Sequence, residues 1–279
     1  MKYGTLVRLG SCEEAYEKFA KLKEIGLDSC QLVYKPESYV LDEARQIRLT
    51  AQSAGVEISA FFAGFRDTFT KWDLKYDYKN AGFGSNAFAE GRIKYVLSAL
   101  EFIKELGVED VIVHAGFIPN DPFSSEYSDM LCRINLLAVA AKGLGLNILF
   151  ETGGESPITL LRTILEIGTG NLFVNLNTGN LIMYGYGNPC EAVMTLGKYV
   201  RNIHAKDGLP PTNPYKLGPE VPIGEGVVDF ERVFKLLLDT GYDRFITIER
   251  EITGEEQTKD IERGLEYLKN IINNLKRGE

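Results

Sequence analysis

The chain has 279 residues, 44% hydrophobic and 25% charged, which is enough apolar material for one full core. Its formal net charge of −8 works against phosphate backbones and anionic lipid, so neither nucleic acid nor a membrane surface is expected as a partner. No run is apolar enough to span a bilayer, and Cys12, Cys30, Cys132 and Cys190 form no C-x-x-C pair, so reduced thiols in a cytoplasmic protein are expected.

In chain order, eight short β-rich runs alternate with helical periods, at residues 3–7, 29–34, 56–62, 111–114, 146–150, 172–176, 199–203 and 245–248. Most follow a glycine (Gly26, Gly55, Gly107, Gly145, Gly170 and Gly241), which suits the left-handed residue that closes a helix and turns the chain into the next strand. After the first run, Ser11-Cys12-Glu13-Glu14 reads as a capping box, followed by a helix with Tyr16, Phe19, Ala20, Leu22 and Ile25 on its apolar face. Ile93, Val96, Leu97, Leu100 and Ile103 mark a second amphipathic helix, and Ile261, Leu265, Leu268, Ile272 and Leu275 mark the last.

Strands apolar on both faces and alternating with helices predict a parallel sheet with helical cover. Eight such units in one chain of this length predict an α/β fold, a (β/α)8 TIM barrel forming a single domain over residues 1–279. No G-x-G-x-x-G follows the first run, which argues against a dinucleotide-binding open sheet. Two connections are long. The first, 64–87, carries Phe65, Phe69, Trp72, Tyr76, Tyr78 and Phe83; the second, 208–228, is rich in Gly and Pro. Both follow strands and so belong to the C-terminal face, where long loops are usually functional.

In such a barrel the strand ends face the active site. Those positions hold His114, Glu151, Asn177, His204 and Glu249 on strands four to eight. Both histidines of the chain are among them. Two carboxylates ending apolar strands would repel unless a cation or a proton lay between them, so a shared divalent metal site is expected. Oxygen ligands with one imidazole suit Mn, Mg, Co or Zn without choosing among them.

The order Glu151, Asn177, His204, Glu249 resembles the Glu/Asp/His/Glu metal site of the D-tagatose 3-epimerase and inosose isomerase/dehydratase group of xylose isomerase-like TIM barrels. The stretches His204-Ala-Lys-Asp207, Val221-Pro-Ile-Gly-Glu-Gly226 and Thr247-Ile-Glu-Arg250 resemble the same superfamily, and the similarity runs from the first strand to the last helix. The resemblance implies a metal-dependent isomerase or epimerase acting on a small-molecule sugar. Glu151 and Glu249 would serve as the catalytic proton-transfer pair, through an enediolate. It also implies substrate contacts at His114, Asn180, Lys206 and Asp207, and common assembly into homo-oligomers. Trp72 and its aromatic neighbours would form either a lid on the sugar or a subunit contact. The chain departs from the pattern at Asn177, where the group has Asp. The ligand set then carries two negative charges instead of three, and weaker metal binding is expected. The alternatives are a dehydratase or lyase on an inosose or keto-acid, using the same metal and base, and a non-catalytic sugar-binding barrel. A three-zinc nuclease on this barrel would need more histidines than the chain has.

Overall fold

The computed structural model describes residues 1–67, 73–75, 80–84 and 87–278. Eight strands close into a barrel: β1 (Lys2–Leu9), β2 (Ser29–Tyr34), β3 (Glu57–Phe62), β4 (Asp110–Val113), β5 (Asn147–Glu151), β6 (Leu172–Asn177), β7 (Val200–Ala205) and β10 (Phe245–Ile248). All neighbours are parallel, and β1 pairs with both β2 and β10 to complete the ring. The helices between strands are α1 (Ala15–Glu24), α2 (Leu41–Ala54), α3 (Ala89–Leu106), α4 (Ser125–Gly143), α5 (Pro157–Ile167), α6 (Thr178–Tyr184), α7 (Pro189–Leu196) and α8 (Phe230–Asp239), and α9 (Glu255–Arg277) follows the last strand. A two-stranded antiparallel pair, β8 (Asp207–Gly208) with β9 (Glu220–Val221), folds the long connection after β7 back over the strand ends.

The expected strands are present, with ends shifted by one or two residues. His114 lies just past β4, whereas Glu151, Asn177 and His204 lie inside β5, β6 and β7. Gly55 and Gly107 take the left-handed conformation that ends α2 and α3, but α5 is closed by Gly168 rather than by Gly170. The capping box is corrected. Residues 12–14 form a 3-10 turn, Ser11 makes no side-chain cap among the described residues, and Glu14 Oε2 instead accepts the Gly10 amide at 3.1 Å. Tyr16 also leaves the expected apolar face: it is exposed, and Cys12 and Ala15 join Phe19 and Leu22 in the core in its place. In α9 the expected stripe is buried from Ile261 through Ile272, with Leu275 half-buried.

Most buried apolar side chains fall into two layers, as a barrel requires, with a small third cluster of Ala81, Phe117 and Tyr184. One cluster fills the space between sheet and helices, including Phe19, Ile47, Phe102, Leu137, Phe234 and Leu268. The other, Val33, Ala60, Phe62, Ile112 and Leu149 with Leu6 and Phe173, fills the barrel's interior. The interior is not wholly apolar. Gln31, Ser59, Asn175, Asn202 and Thr247 are buried there and hydrogen-bond one another across strands, with Gln31 Nε2 donating to Asn175 Oδ1 at 3.2 Å and Asn202 Nδ2 to Ser59 Oγ at 3.3 Å. The four cysteines are free, and among the described residues no helix is long and apolar enough to cross a membrane.

Candidate metal centre and active site

The C-terminal ends of β5, β6, β7 and β10 bring Glu151, Asn177, His204 and Glu249 together, all buried. Hydroxyls bind these strand ends to one another. The Asn177 amide donates to Thr152 Oγ1 at 2.9 Å, and Thr152 Oγ1 donates to Asn177 O at 3.1 Å. Thr178 Oγ1 donates to Lys206 O at 2.7 Å. The ligand atoms of Glu151, His204 and Glu249 lie within 4.8 Å of one another. His204 Nδ1 is 3.0 Å from Glu151 Oε1 and 3.4 Å from Glu249 Oε2.

The orientation of His204 is fixed from below. Its Nε2 meets Gln31 Oε1, and Gln31 is itself held by donating to Asn175. Nε2 therefore carries a hydrogen, and Nδ1 faces the two carboxylates; a carbonyl behind a histidine in this way sets the other nitrogen as the one that would ligate an ion once its proton is displaced. Phe62 stacks on the ring at 6.1 Å with an interplanar angle of 11°.

Electrostatically the cluster calls for a positive charge. Burial alone would push the His204 imidazolium down, but Glu249 and Glu151 outweigh it and hold it up at about 10. Burial alone would likewise raise both glutamates. Instead Lys206 and His204 lower Glu249, and His114 and His204 lower Glu151, so both stay ionised. Without a metal, the proton on His204 supplies the charge. Glu151 Oε2 is buried and makes no hydrogen bond among the described residues, although His114 Nε2 lies 3.1 Å away. A buried charged oxygen met only by the edge of His114, beside a second carboxylate and an aimed imidazole nitrogen, fits a divalent cation held by Glu151, His204 and Glu249.

Asn177 takes a different place in this set from the one expected. Its Oδ1 accepts the Asn180 amide at 2.9 Å and so caps the N-terminus of α6. This turns its Nδ2 between the carboxylates, donating to Glu151 Oε1 and Glu249 Oε2 at 2.7 Å each. The carbonyl that was to ligate the ion faces away from it. In this geometry Asn177 brackets the two glutamates as a neutral donor.

Among the expected substrate contacts, His114 and Asn180 border the cluster. Asn180 Nδ2 is 3.4 Å from Glu151 Oε1, and the His114 ring packs edge-on against Phe62. Lys206 is fully buried, with Nζ 3.5 Å from Glu249 Oε2 and 3.1 Å from Glu251 Oε1. Its burial opposes the charge, but Glu249 and Glu251 override this and raise its pKa. Asp207 is corrected. Its Oδ1 accepts the amides of Gly208 and Val228, and its Oδ2 those of Gly224 and Gly226, so its lone pairs are committed to the loop and none remains for a substrate hydroxyl. Trp72, with Phe69, Tyr76 and Tyr78, lies outside the described residues.

Two residues at the site escape the strand-end rule. Gln31 lies mid-strand, and its only signal is a lone amide in the wholly buried run Ser-Cys-Gln-Leu-Val-Tyr. Glu155, four residues after Glu151, is buried with Oε1 unpartnered among the described residues, and burial pushes it up to about 8, so it is largely neutral at pH 7.

The fold and site together define a closed (β/α)8 barrel with a buried Glu/His/Glu constellation, one that could hold a metal ion, at its C-terminal mouth. The family model described as xylose isomerase-like TIM barrel matches residues 19–271, and the chain belongs to that family. A crystal structure of a xylose isomerase domain protein from Planctomyces limnophilus is 28% identical, with a TM-score of 0.88 over 97% of this chain and 96% of that one. A D-tagatose 3-epimerase-like protein is 23% identical, with a TM-score of 0.73 over 100% of this chain and 99% of that one. An uncharacterized protein of Methanocaldococcus jannaschii is 30% identical over 196 residues, 65% of this chain and 63% of that protein's length. The same fold at lower identity is shared by L-ribulose 3-epimerase (14%, TM-score 0.74) and a probable 3-DHS dehydratase from Bacillus anthracis (17%, TM-score 0.67).

Proposed function

We propose that the protein is a divalent-metal-dependent isomerase or epimerase that moves a proton at the carbon next to the carbonyl of a ketose or related polyol ketone. The observation that carries this reading is the pair of ionised, buried carboxylates, Glu151 and Glu249, facing each other across His204 Nδ1 at the barrel mouth. Glu151, His204 and Glu249 would hold the ion, and when bound it would polarise the substrate carbonyl and stabilise negative charge on the adjacent oxygens.

The side chains supply the rest. One glutamate takes the proton from carbon and the other returns one. Return to the opposite face epimerises the centre; return at the neighbouring carbon isomerises the sugar. Each glutamate needs an oxygen that does not bind the ion for this, and Glu151 Oε2, which faces His114 rather than His204, meets that need. His204, with Asn177 at Glu249 and His114 at Glu151, keeps both carboxylates ionised in the resting site, so one is ready to accept a proton and the other must first take one up from solvent before it can deliver it to carbon. Lys206 lies beside Glu249, its Nζ 3.5 Å from Oε2, where it would help to hold that carboxylate ionised.

The test is solvent deuterium uptake by a panel of ketoses, followed by NMR in D₂O with Mn, Mg, Co and Zn in turn. Exchange at the carbon next to the carbonyl without loss of water is expected, and it should fall at least about a hundredfold in Glu249→Gln while fold is kept. Elimination of water would move the assignment to a dehydratase, and full activity in Glu249→Gln would refute the two-carboxylate scheme.

A further inference from the structure

The helices around the barrel differ in what they show to solvent. Among the described residues α3 and α8 expose no large apolar side chain, and α1 and α9 expose one each, Tyr16 and Tyr267. α2 exposes Leu41 at its start and Leu49 two turns on. On α4 and α5 the exposed residues fall into stripes. Cys132, Leu136 and Val139 line the outer side of α4 at helical spacing, opposite the buried Met130, Ile134 and Leu137. Ile158, Leu161 and Leu165 do the same on α5, with Leu161 half-buried. Leu136, Val139, Ile158 and Leu165 are each more than half exposed.

The two stripes share one face. Tyr127 of α4 donates to Glu166 Oε2 of α5 at 2.9 Å, and Lys142 Nζ of α4 to Thr169 O, just past α5, at 2.6 Å. Met194 of α7, which packs beside α5, extends the face. At ~1.5 Å per residue and about 10 Å per helix, the three helices present on the order of 600 Å² in outline, comparable with the ~800 Å² of accessible surface that each partner of a standard dimer buries. Single exposed apolar residues need no explanation, but neighbouring stripes of them mark a contact surface.

The charges along α4 identify what covers it. Glu126 and Asp129 lie in its first turns and Lys142 in its last, so the helix is acidic at one end and basic at the other. Arg133, between them, reaches away from the stripe to Phe83 O at 3.4 Å. Asp129 and Lys142 lie equally far from the point between Asn135 and Leu136, and so do Cys132 and Val139. A copy of the helix laid antiparallel about a two-fold axis through that point therefore sets the acidic turns of each α4 level with the basic turn of the other, and Cys132 level with Val139. The helix dipoles then oppose as well. A parallel approach would set acid on acid. A surface that is apolar at its middle and reverses charge about that middle is complementary to itself.

We propose that the outer face of α4 and α5 is a self-association surface, on which a second copy of this chain docks with the two α4 helices antiparallel. The contact lies on the flank of the barrel and is independent of the reaction proposed above.

Sedimentation equilibrium of the full chain over a dilution series tests it, and twice the mass of one chain is expected. Leu136→Asp/Leu165→Asp should raise the dimer dissociation constant at least about a hundredfold by placing charge in the apolar contact, with circular dichroism unchanged because both positions are exposed. Asp129→Lys should weaken the dimer about tenfold by setting like charges opposite, and Asp129→Lys/Lys142→Asp should restore it, as antiparallel pairing requires. Cys132, the one exposed cysteine of the four, reports the same event: its alkylation by iodoacetamide should slow where the wild type is dimeric and recover in Leu136→Asp/Leu165→Asp. The mass of a single chain at every concentration would overturn the proposal and leave the face to a different protein. A dimer indifferent to Leu136→Asp/Leu165→Asp would overturn it too, by placing the contact on another face. A double charge reversal no tighter than Asp129→Lys would rule out the antiparallel pairing.

Discussion

At Asn177 a neutral amide stands where the resemblance led a carboxylate to be expected. The Nδ2 group separates Glu151 from Glu249, and the Oδ1 caps α6, so one residue lowers the repulsion of the metal-free site and starts a helix. Asp at 177 can still cap, but it removes the donor and adds a third negative charge. Asn177→Asp is therefore expected to bind Mn²⁺ or Co²⁺ at least about tenfold more tightly while lowering the stability of the metal-free protein by about 1–3 kcal/mol. Calorimetric titration and urea unfolding after chelation read both; unchanged metal affinity would mean that residue 177 never reaches the ion. Glu155 gives a pH signature. Its folded pKa of about 8 lies above the unfolded value near 4.5, so the folded state holds the proton more tightly. Its contribution to stability is full below about pH 4.5 and is lost as pH rises to about 8, on the order of a few kcal/mol in all. Glu155→Gln should flatten that decline in urea unfolding at pH 5, 6, 7 and 8; parallel wild-type and variant curves would show that Glu155 ionises freely in the fold.

At the scale of elements, what the sequence reveals depends on how local the cause is. Glu151, Asn177, His204 and Glu249 are legible because each ends an apolar run, and the fold sends every strand end to one mouth. Gln31 is not, because whether a mid-strand amide faces the axis depends on the pairing of β2 with β1 and β3, including a register shift at Cys30/Gln31. The amide orientation of Asn177 is hidden for a similar reason: it follows from α6 starting at Thr178, not from the residue itself. Asp207 sits in a stretch that looks catalytic, His-Ala-Lys-Asp, yet its carboxylate gathers four amides from a loop reaching to residue 228. Asp207→Ala should free the 208–228 connection from its anchor. Amide hydrogen exchange at 220–228 should rise at least about tenfold and global stability fall by about 2–3 kcal/mol, as buried donors lose their acceptor. Metal binding by Glu151, His204 and Glu249 should persist. Unaltered exchange across 220–228 would show that β8 and β9 hold the loop without the carboxylate.

The whole molecule separates chemistry from closure. The C-terminal mouth concentrates unsatisfied and like charges, an arrangement that costs stability and is kept where a ligand is to be bound. The N-terminal ends of the strands do the opposite. Asp110, first in β4 and fully buried, accepts from Asn147 Nδ2 of β5 at 2.9 Å, from Arg201 Nε of β7 at 2.9 Å and from Arg244 Nη2, just before β10, at 3.1 Å. Arg244 Nε also donates to Arg201 O at 2.9 Å, so four strands are tied at a point remote from the mouth. Removing the carboxylate leaves two guanidinium groups without their shared acceptor, and Asp110→Ala should cost about 3 kcal/mol. Because the network and the Glu/His/Glu cluster share no side chain, that loss should leave metal affinity and the rate of deuterium exchange at wild-type values below the unfolding transition. Urea unfolding paired with metal titration distinguishes the outcomes. A fall in metal affinity matching the fall in stability would mean that the two ends of the barrel are coupled through the strands, and that the scaffold's rigidity is part of the site.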